Sequence, residues 1–135
     1  MNTLTITATL KKTLPSQPTV VSLVAIKNRI LGTRYELSLV VIGTQRSRTL
    51  NRRYRDTDRP TNVLSFPLAS NEGEIFITLP LVHKEAPRYG RTSDNHFRAL
   101  FIHGCLHLKG YRHGATMDKE EKRLQKKFLP AQKKR

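Results

Sequence analysis

The sequence is poor in cysteine, tryptophan and long apolar runs. It has one cysteine, Cys105, and no tryptophan among its 135 residues, so an internal disulfide framework is excluded. A structural zinc site built from several thiolates is excluded for the same reason. No apolar run approaches the roughly 18 residues that indicate a transmembrane helix. We therefore predict no association with a membrane.

Acidic residues are also scarce. The chain has 10 Asp and Glu against 25 Lys and Arg, which gives a formal net charge of +15 at pH 7. A positive field of this size attracts polyanions, of which nucleic acid is the commonest inside cells. The length predicts one domain over residues 1–135 with a short basic tail at 131–135. The N-terminus lacks the charged-then-apolar order of a signal peptide, so we expect a cytoplasmic location.

Three of the five histidines lie close together. His103, His107 and His113 occupy relative positions 0, 4 and 10. Residues four apart share one face of a helix, and Gly110 is suited to end that helix and reverse the chain towards His113. Three imidazole nitrogens with a fourth position open to water are typical of a catalytic zinc site. We predict one divalent metal, with zinc expected, and no fourth protein ligand.

The histidine spacing copies the long zinc-peptidase motif H-E-x-x-H-x-x-G-x-x-H with one change. That motif places a general-base glutamate directly after the first histidine, whereas this chain has Gly104. A zinc peptidase-like hydrolase is therefore an alternative that lacks its usual base. Cys105 falls on the opposite side of the helix from the histidines and is expected in the core.

Alternation and periodicity predict an α+β fold, with a small mixed β-sheet, packed helices and one central buried helix that carries the metal motif. Strands are predicted at residues 3–10, 35–42, 62–66 and 74–79, and helices at 18–31, 44–54, 94–109 and 117–128, with a helical turn at 81–86. Thr44 is expected to cap the second helix, and Ser93 or Asp94 the metal helix. Pro67 is expected to end the third strand and to place it near a sheet edge.

Two long motifs point to a known family. Residues 50–67 read LNRRYRDTDRPTNVLSFP, and residues 103–113 read HGCLHLKGYRH. In order and spacing they resemble the LN..YR..D.PT(D/N)VLSFP and HG.LHL.GYDH motifs of the YbeY family of bacterial rRNA-maturation endoribonucleases. Between them, residues 73–75 resemble the GDI strand of that family, with Glu74 in place of Asp. Arg112 replaces the acidic residue before the last histidine, so a carboxylate behind the metal is either absent or supplied elsewhere.

The resemblance implies a metal-dependent endoribonuclease specific for single strands. It implies action in ribosomal RNA processing, namely 16S rRNA 3′-end maturation, and in ribosome quality control. Ribosomal RNA, the small ribosomal subunit and ribosome-associated proteins are the implied partners, and an oligomer is not indicated. The three histidines would be the zinc ligands and Arg55 the functional arginine.

The arginines of the first motif suit phosphate binding. A guanidinium makes planar, two-pronged contacts to phosphate oxygens, so Arg55 could stabilise the charge of a pentacoordinate phosphate. Its position alone is equally compatible with one more solvated cation. Arg52, Arg53 and Arg59 are predicted to bind RNA.

Three further residues are candidates for contacts to the ligands or the substrate: Glu74, His96 and Ser65. Glu74 could orient a ligand imidazole, or it could face solvent on its strand. His96 precedes His103 by two helical turns and shares its face, but it could equally be a histidine at the helix start without a chemical role. A non-catalytic RNA-binding protein with a structural metal remains the third functional alternative.

Overall fold

A computed structural model describes residues 4–8 and 16–130. The basic tail predicted at 131–135 lies outside the described residues. Along the chain the elements are β1 (Leu4–Ala8), α1 (Gln17–Leu31), β2 (Glu36–Ile42), α2 (Thr44–Arg55), β3 (Val63–Ala69), β4 (Glu72–Thr78), α3 (Leu79–Glu85), a 3-10 turn (Ala86–Tyr89), α4 (Ser93–Lys109) and α5 (Ala115–Phe128). Within those ranges no helix is both long enough and apolar enough to cross a membrane.

The described strands form one mixed sheet in the order β1-β2-β4-β3. β1, β2 and β4 are parallel, whereas β3 pairs antiparallel with β4 across a short hairpin. The predicted α+β class is confirmed, and β3 lies at the edge as Pro67 indicated. The strand does not end there, however, because β3 continues to Ala69 through an irregularity after Pro67. An edge strand tolerates the missing N–H of proline.

Helix α4 is the central buried helix. Its side chains Phe97, Phe101, Ile102 and Cys105 are at most 4% exposed and belong to the main core cluster, which also takes residues from α1, β2, β4 and α5. Gly104 allows the close approach of helix and sheet. A Cβ atom at this position would lie 3.0 Å from both the Ser65 hydroxyl and an Ile75 methyl.

Helix α2 covers the other face of the sheet and holds the loop that follows it. Ser47 Oγ donates to the Thr61 carbonyl at 2.8 Å and accepts from the Thr61 N–H at 2.9 Å, while Asn51 Nδ2 donates to the Arg59 carbonyl at 2.8 Å. Both α2 side chains are buried. These bonds fix residues 59–61 beside the sheet edge.

The helix starts differ from the predicted caps. Gly43, not Thr44, occupies the N-cap of α2 and makes no side-chain cap. Thr92, not Ser93 or Asp94, caps α4 by accepting the Asn95 N–H at 3.1 Å. Glycine, threonine, serine and aspartate are all accepted at the N-cap, so the tertiary path of the incoming chain decides which residue becomes the cap.

Candidate metal centre

The three predicted ligands converge at the end of α4. His103 and His107 lie one turn apart, and Gly110 ends the helix in the left-handed region at φ 112°, which turns the chain back. One ligand nitrogen from each of His103, His107 and His113 lies within 4.8 Å of the other two. Ring centroids are 4.6 Å apart for the pairs that include His107 and 5.3 Å apart for the third pair. The three residues could hold a metal ion.

Hydrogen bonds orient two of the imidazoles towards the shared point. His107 Nδ1–H donates to the Tyr111 carbonyl at 3.1 Å, and His103 Nδ1–H donates to the Glu121 carboxylate at 2.7 Å. Both acceptors lack hydrogens of their own, so the hydrogen of each bond lies on Nδ1. In a neutral imidazole the other nitrogen, Nε2, then carries the lone pair.

The donor set therefore fits a cation. The Nε2 atoms of His103 and His107 are 3.0 Å apart, and two lone pairs at this distance repel each other unless a proton or a cation lies between them. A proton is disfavoured on His107. Burial and then the nearby His103 lower the pKa of its imidazole, outweighing the raising effect of the Tyr111 carbonyl. Three imidazole nitrogens gathered in one place match the preferences of zinc.

Glu121 is the residue of the site that sequence reasoning missed. It lies on α5 and its side chain is only 17% exposed. A signal was present in the sequence, because Met117, Glu121 and Leu124 share one face of α5, and the two apolar members of that face are buried. A carboxylate between two buried side chains needs a partner. Glu121 is thus the carboxylate supplied from elsewhere when Arg112 replaces the acidic residue.

A cleft of about 640 Å³ opens over the histidines. The rest of its lining comes from the end of α2, residues 59–65 and the edge of β3, and includes Arg55, Arg59 and Ser65. No aspartate or glutamate in the described part of the chain lines this cleft. The arrangement combines three convergent imidazole nitrogens, which could hold a metal ion, with two cationic side chains, which suit an anionic substrate.

Arg55 is connected to α4 through Ser65. Its Nη2 donates to the Ser65 carbonyl at 3.3 Å, and Ser65 Oγ donates to the Gly104 carbonyl of α4 at 3.1 Å. Two of the predicted site residues are therefore connected to each other and to the helix that carries the histidines. The catalytic role of Arg55 stays a prediction.

The three arginines predicted to bind RNA lie in different places. Arg59 lines the histidine cleft, and Arg53 lines a separate pocket on the other face of the sheet. Arg52 is 59% exposed, with its Nη1 3.7 Å from Asp58. The same carboxylate accepts two bonds from Arg48, at 2.9 and 3.1 Å.

Glu74 and His96 do not contact the ligand imidazoles. Glu74 lies on the opposite sheet face and lines the same pocket as Arg53, so the orienting role considered for it belongs to Glu121. His96 is 2% exposed, with Nε2–H donating to Glu85 at 2.9 Å and Nδ1 accepting from Arg91 at 3.2 Å. It does not line the histidine cleft, but it lines a smaller neighbouring pocket together with His103 and Glu121, and a role for it in the site stays a prediction.

Comparison with known proteins supports the same interpretation. The family model described as Endoribonuclease YbeY matches residues 6–131. The Endoribonuclease YbeY of a Sulfurovum species is 37% identical over 113 residues, covering 73% of this chain and 77% of that protein. That of Stutzerimonas stutzeri is 40% identical over 94 residues, covering 64% of this chain and 59% of that protein. The solution structure of TM1509 from Thermotoga maritima is also similar, with 27% sequence identity and a TM-score of 0.65. The match covers 93% of this chain and 86% of the TM1509 chain.

Proposed function

The chain belongs to the YbeY family of endoribonucleases, and from that premise we propose that it cleaves single-stranded ribosomal RNA in a metal-dependent reaction. The observation that supports this most directly is the cleft itself. Three imidazole nitrogens converge in a cleft that Arg55 and Arg59 also line, and no carboxylate of the described residues lines it. Such a cleft favours a phosphodiester over a neutral or cationic substrate.

His103, His107 and His113 would hold the metal, and zinc is the proposed ion. When bound, it would supply a Lewis acid and lower the pKa of a coordinated water to near neutrality. Arg55 would contact the non-bridging oxygens of the scissile phosphate, where negative charge increases in the transition state. Its bond to the Ser65 carbonyl holds the guanidinium in place before the substrate arrives.

A peptidase is the weaker alternative. The zinc peptidases place a glutamate beside the metal as the general base, but Gly104 occupies that position and packs against the sheet. A purely structural metal is also disfavoured, because structural zinc sites are usually closed by four protein ligands. The group found in the described residues has three.

The finer assignment extends the proposal. We place the substrate at the 3′ end of 16S rRNA on the small ribosomal subunit. The protein would act there in rRNA maturation and in ribosome quality control. It would do so in the cytoplasm, together with ribosome-associated proteins. The whole of residues 1–135 would act as one domain. The net charge of +15 supports a large polyanionic partner such as a ribosomal particle.

Cleavage assays would test the reaction class. Metal-loaded and chelator-treated protein would be incubated with three substrates: a single-stranded precursor rRNA segment, the same segment annealed to its complement, and casein. We expect cleavage only of the single strand and only by the loaded protein. Casein hydrolysis would point to the peptidase, whereas tight RNA binding without cleavage under any metal would point to the binding protein.

RNA affinity should also depend steeply on salt. Each neutralised phosphate releases counterions, so the logarithm of the binding constant falls linearly with the logarithm of salt concentration. RNA-binding titrations with protein kept metal-free by a chelator, repeated at salt concentrations from low to physiological, would measure the slope. A flat response would contradict a phosphate-contacting surface.

A further inference from the structure

A second pocket lies on the sheet face opposite the histidines. It has a volume of about 750 Å³ and is bounded by α2, by the end of β1 and by strands β2, β4 and β3. Apolar side chains form one part of the lining, among them Val40, Leu50, Phe66 and Phe76. Charged residues line the rest, namely Arg46, Arg53 and Glu74, beside the aromatic ring of Tyr54.

Tyr54 presents an aromatic surface that the core does not use. It is 55% exposed, and its ring meets Phe66 edge-on with centroids 5.3 Å apart. Phe66 in turn packs edge-on against the buried Phe76 at 5.8 Å. The exposed ring is therefore supported from below by two others, which holds it in one orientation. A supported and exposed aromatic ring beside cationic side chains is the arrangement on which nucleobases stack.

The pocket is next to the histidine cleft. Pro67, on the edge strand, lines both spaces. Arg55 lines the cleft, and its guanidinium carbon lies 5.9 Å from the centre of the Phe66 ring. A nucleic-acid strand that leaves the cleft over this edge would reach Tyr54 directly.

The charges select which part of a nucleotide enters. Arg46 and Arg53 are on the α2 side of the pocket, and the Arg53 guanidinium lies 5.6 Å from the centre of the Tyr54 ring. Glu74 is on the strand side, where it repels phosphate. The backbone is therefore directed to the arginines and the base to the apolar interior. A paired base cannot enter, because its edge and faces are occupied in the duplex.

We propose that this pocket binds one unpaired base of the RNA next to the cleaved segment, stacked on the Tyr54 ring that Phe66 supports edge-on, with the neighbouring phosphates on Arg46 and Arg53. The inference rests on the proposed function for the identity of the nucleic acid. It adds a physical basis for preferring single strands, since only an unpaired base can reach the platform.

A fluorescent base tests the proposal without cleavage. The probe is a short oligouridine that carries one 2-aminopurine, moved one position at a time, bound to full-length protein kept metal-free by a chelator. Uridines stack weakly, so quenching on binding reports stacking on the protein. For the wild type we expect quenching at one position of the oligonucleotide. Tyr54→Ala should abolish this quenching and lower the affinity for the oligonucleotide about 5- to 150-fold. Tyr54→Phe should retain both, because stacking needs the ring and not the hydroxyl.

Two controls test whether the base itself makes the contact with Tyr54. Val21→Ala removes a comparably exposed apolar side chain from α1 (64% exposed) and should change nothing. Wild-type protein should lose the same affinity when the quenched position is made abasic, a measurement that needs no variant to fold. The proposal would be overturned if Tyr54→Ala lowered the affinity for intact and for abasic RNA by the same factor, or lowered neither. Failure of the wild type to cleave RNA would refute the proposed function alone and leave the quenching result standing.

Discussion

The carboxylate of Glu121 on α5 lies 2.7 Å from Nδ1 of His103 on α4. This bond sets the hydrogen of His103 on the nitrogen that faces away from the cleft and leaves Nε2 for a metal. It also joins the last helix of the described chain to the centre of the site. The Tyr111 carbonyl does the same for His107 at 3.1 Å. The two orienting groups come from different elements, although the two imidazoles come from one helix.

Loss of the Glu121 carboxylate should weaken metal binding without unfolding the protein. Partners of this kind typically contribute 10- to 100-fold to metal affinity, so Glu121→Ala should raise the dissociation constant by about that factor in a competition with a chelator of known affinity. Glu120→Ala is the matched control, because that neighbouring carboxylate pairs with Arg123 at the surface of the same helix. Equal effects of the two substitutions would contradict the role given to Glu121.

Arg55→Ala should lose cleavage while keeping metal content and most RNA affinity. A donor that acts mainly in the transition state typically contributes on the order of 100- to 1000-fold in rate. Arg55→Lys should recover little, because a point charge does not reproduce a two-pronged contact. Single-turnover rates at saturating protein would measure this.

Arg52→Ala provides the comparison for Arg55. The Arg52 guanidinium is exposed and faces Asp58 rather than the cleft. Its removal should therefore weaken RNA binding modestly and leave the cleavage rate at saturation unchanged. If the two arginine variants behave alike, Arg55 contributes only to the general positive field.

Gly104→Glu should destabilise the fold and should not create a peptidase. A Cβ at this position already meets Ile75 and Ser65 at 3.0 Å, and overpacking alone typically costs about 1–3 kcal/mol. The carboxylate would add the cost of burial against the sheet. Gly43→Ser is the control, since its Cβ would meet nothing within 4 Å and serine is a favourable N-cap. Thermal unfolding and a casein assay would measure both outcomes, and a stable casein-cleaving Gly104→Glu protein would contradict the packing argument.

Cys105 should be unreactive in the folded protein. Burial raises the pKa of its thiol far above the ordinary range, with a smaller opposing effect from Lys27. The thiolate is the reactive form, so maleimide labelling at neutral pH should proceed only after denaturation. Mass spectrometry of native and denatured samples would show this. Labelling of the native protein at the rate of a free thiol would indicate that α4 opens readily.

Sequence periodicity predicted the elements well where the determinants are local. His103 and His107 converge because a helix repeats every 3.6 residues, and Gly110 reverses the chain because it readily adopts positive φ. The position of Cys105 in the core also follows from helical angle alone. These features need no knowledge of what packs around α4.

Other features depended on neighbours distant in the sequence. The Glu121 contact spans 18 positions, and no pattern within α5 says which imidazole this residue meets. The link from Arg55 through Ser65 to Gly104 joins α2, β3 and α4. Glu74 could be assigned to a sheet face only once its register against Phe66 was known.

The sequence by itself thus determined which residue types could bind metal and phosphate, and on which local elements they lie. Only the tertiary structure decided which of them share a cleft, because the packing of α4 against β3 and β4 through Gly104 sets the distance between the histidines and the arginines. Backbone periodicity is a property of neighbouring residues, whereas the meeting of two elements depends on the side-chain volumes of both at their contact.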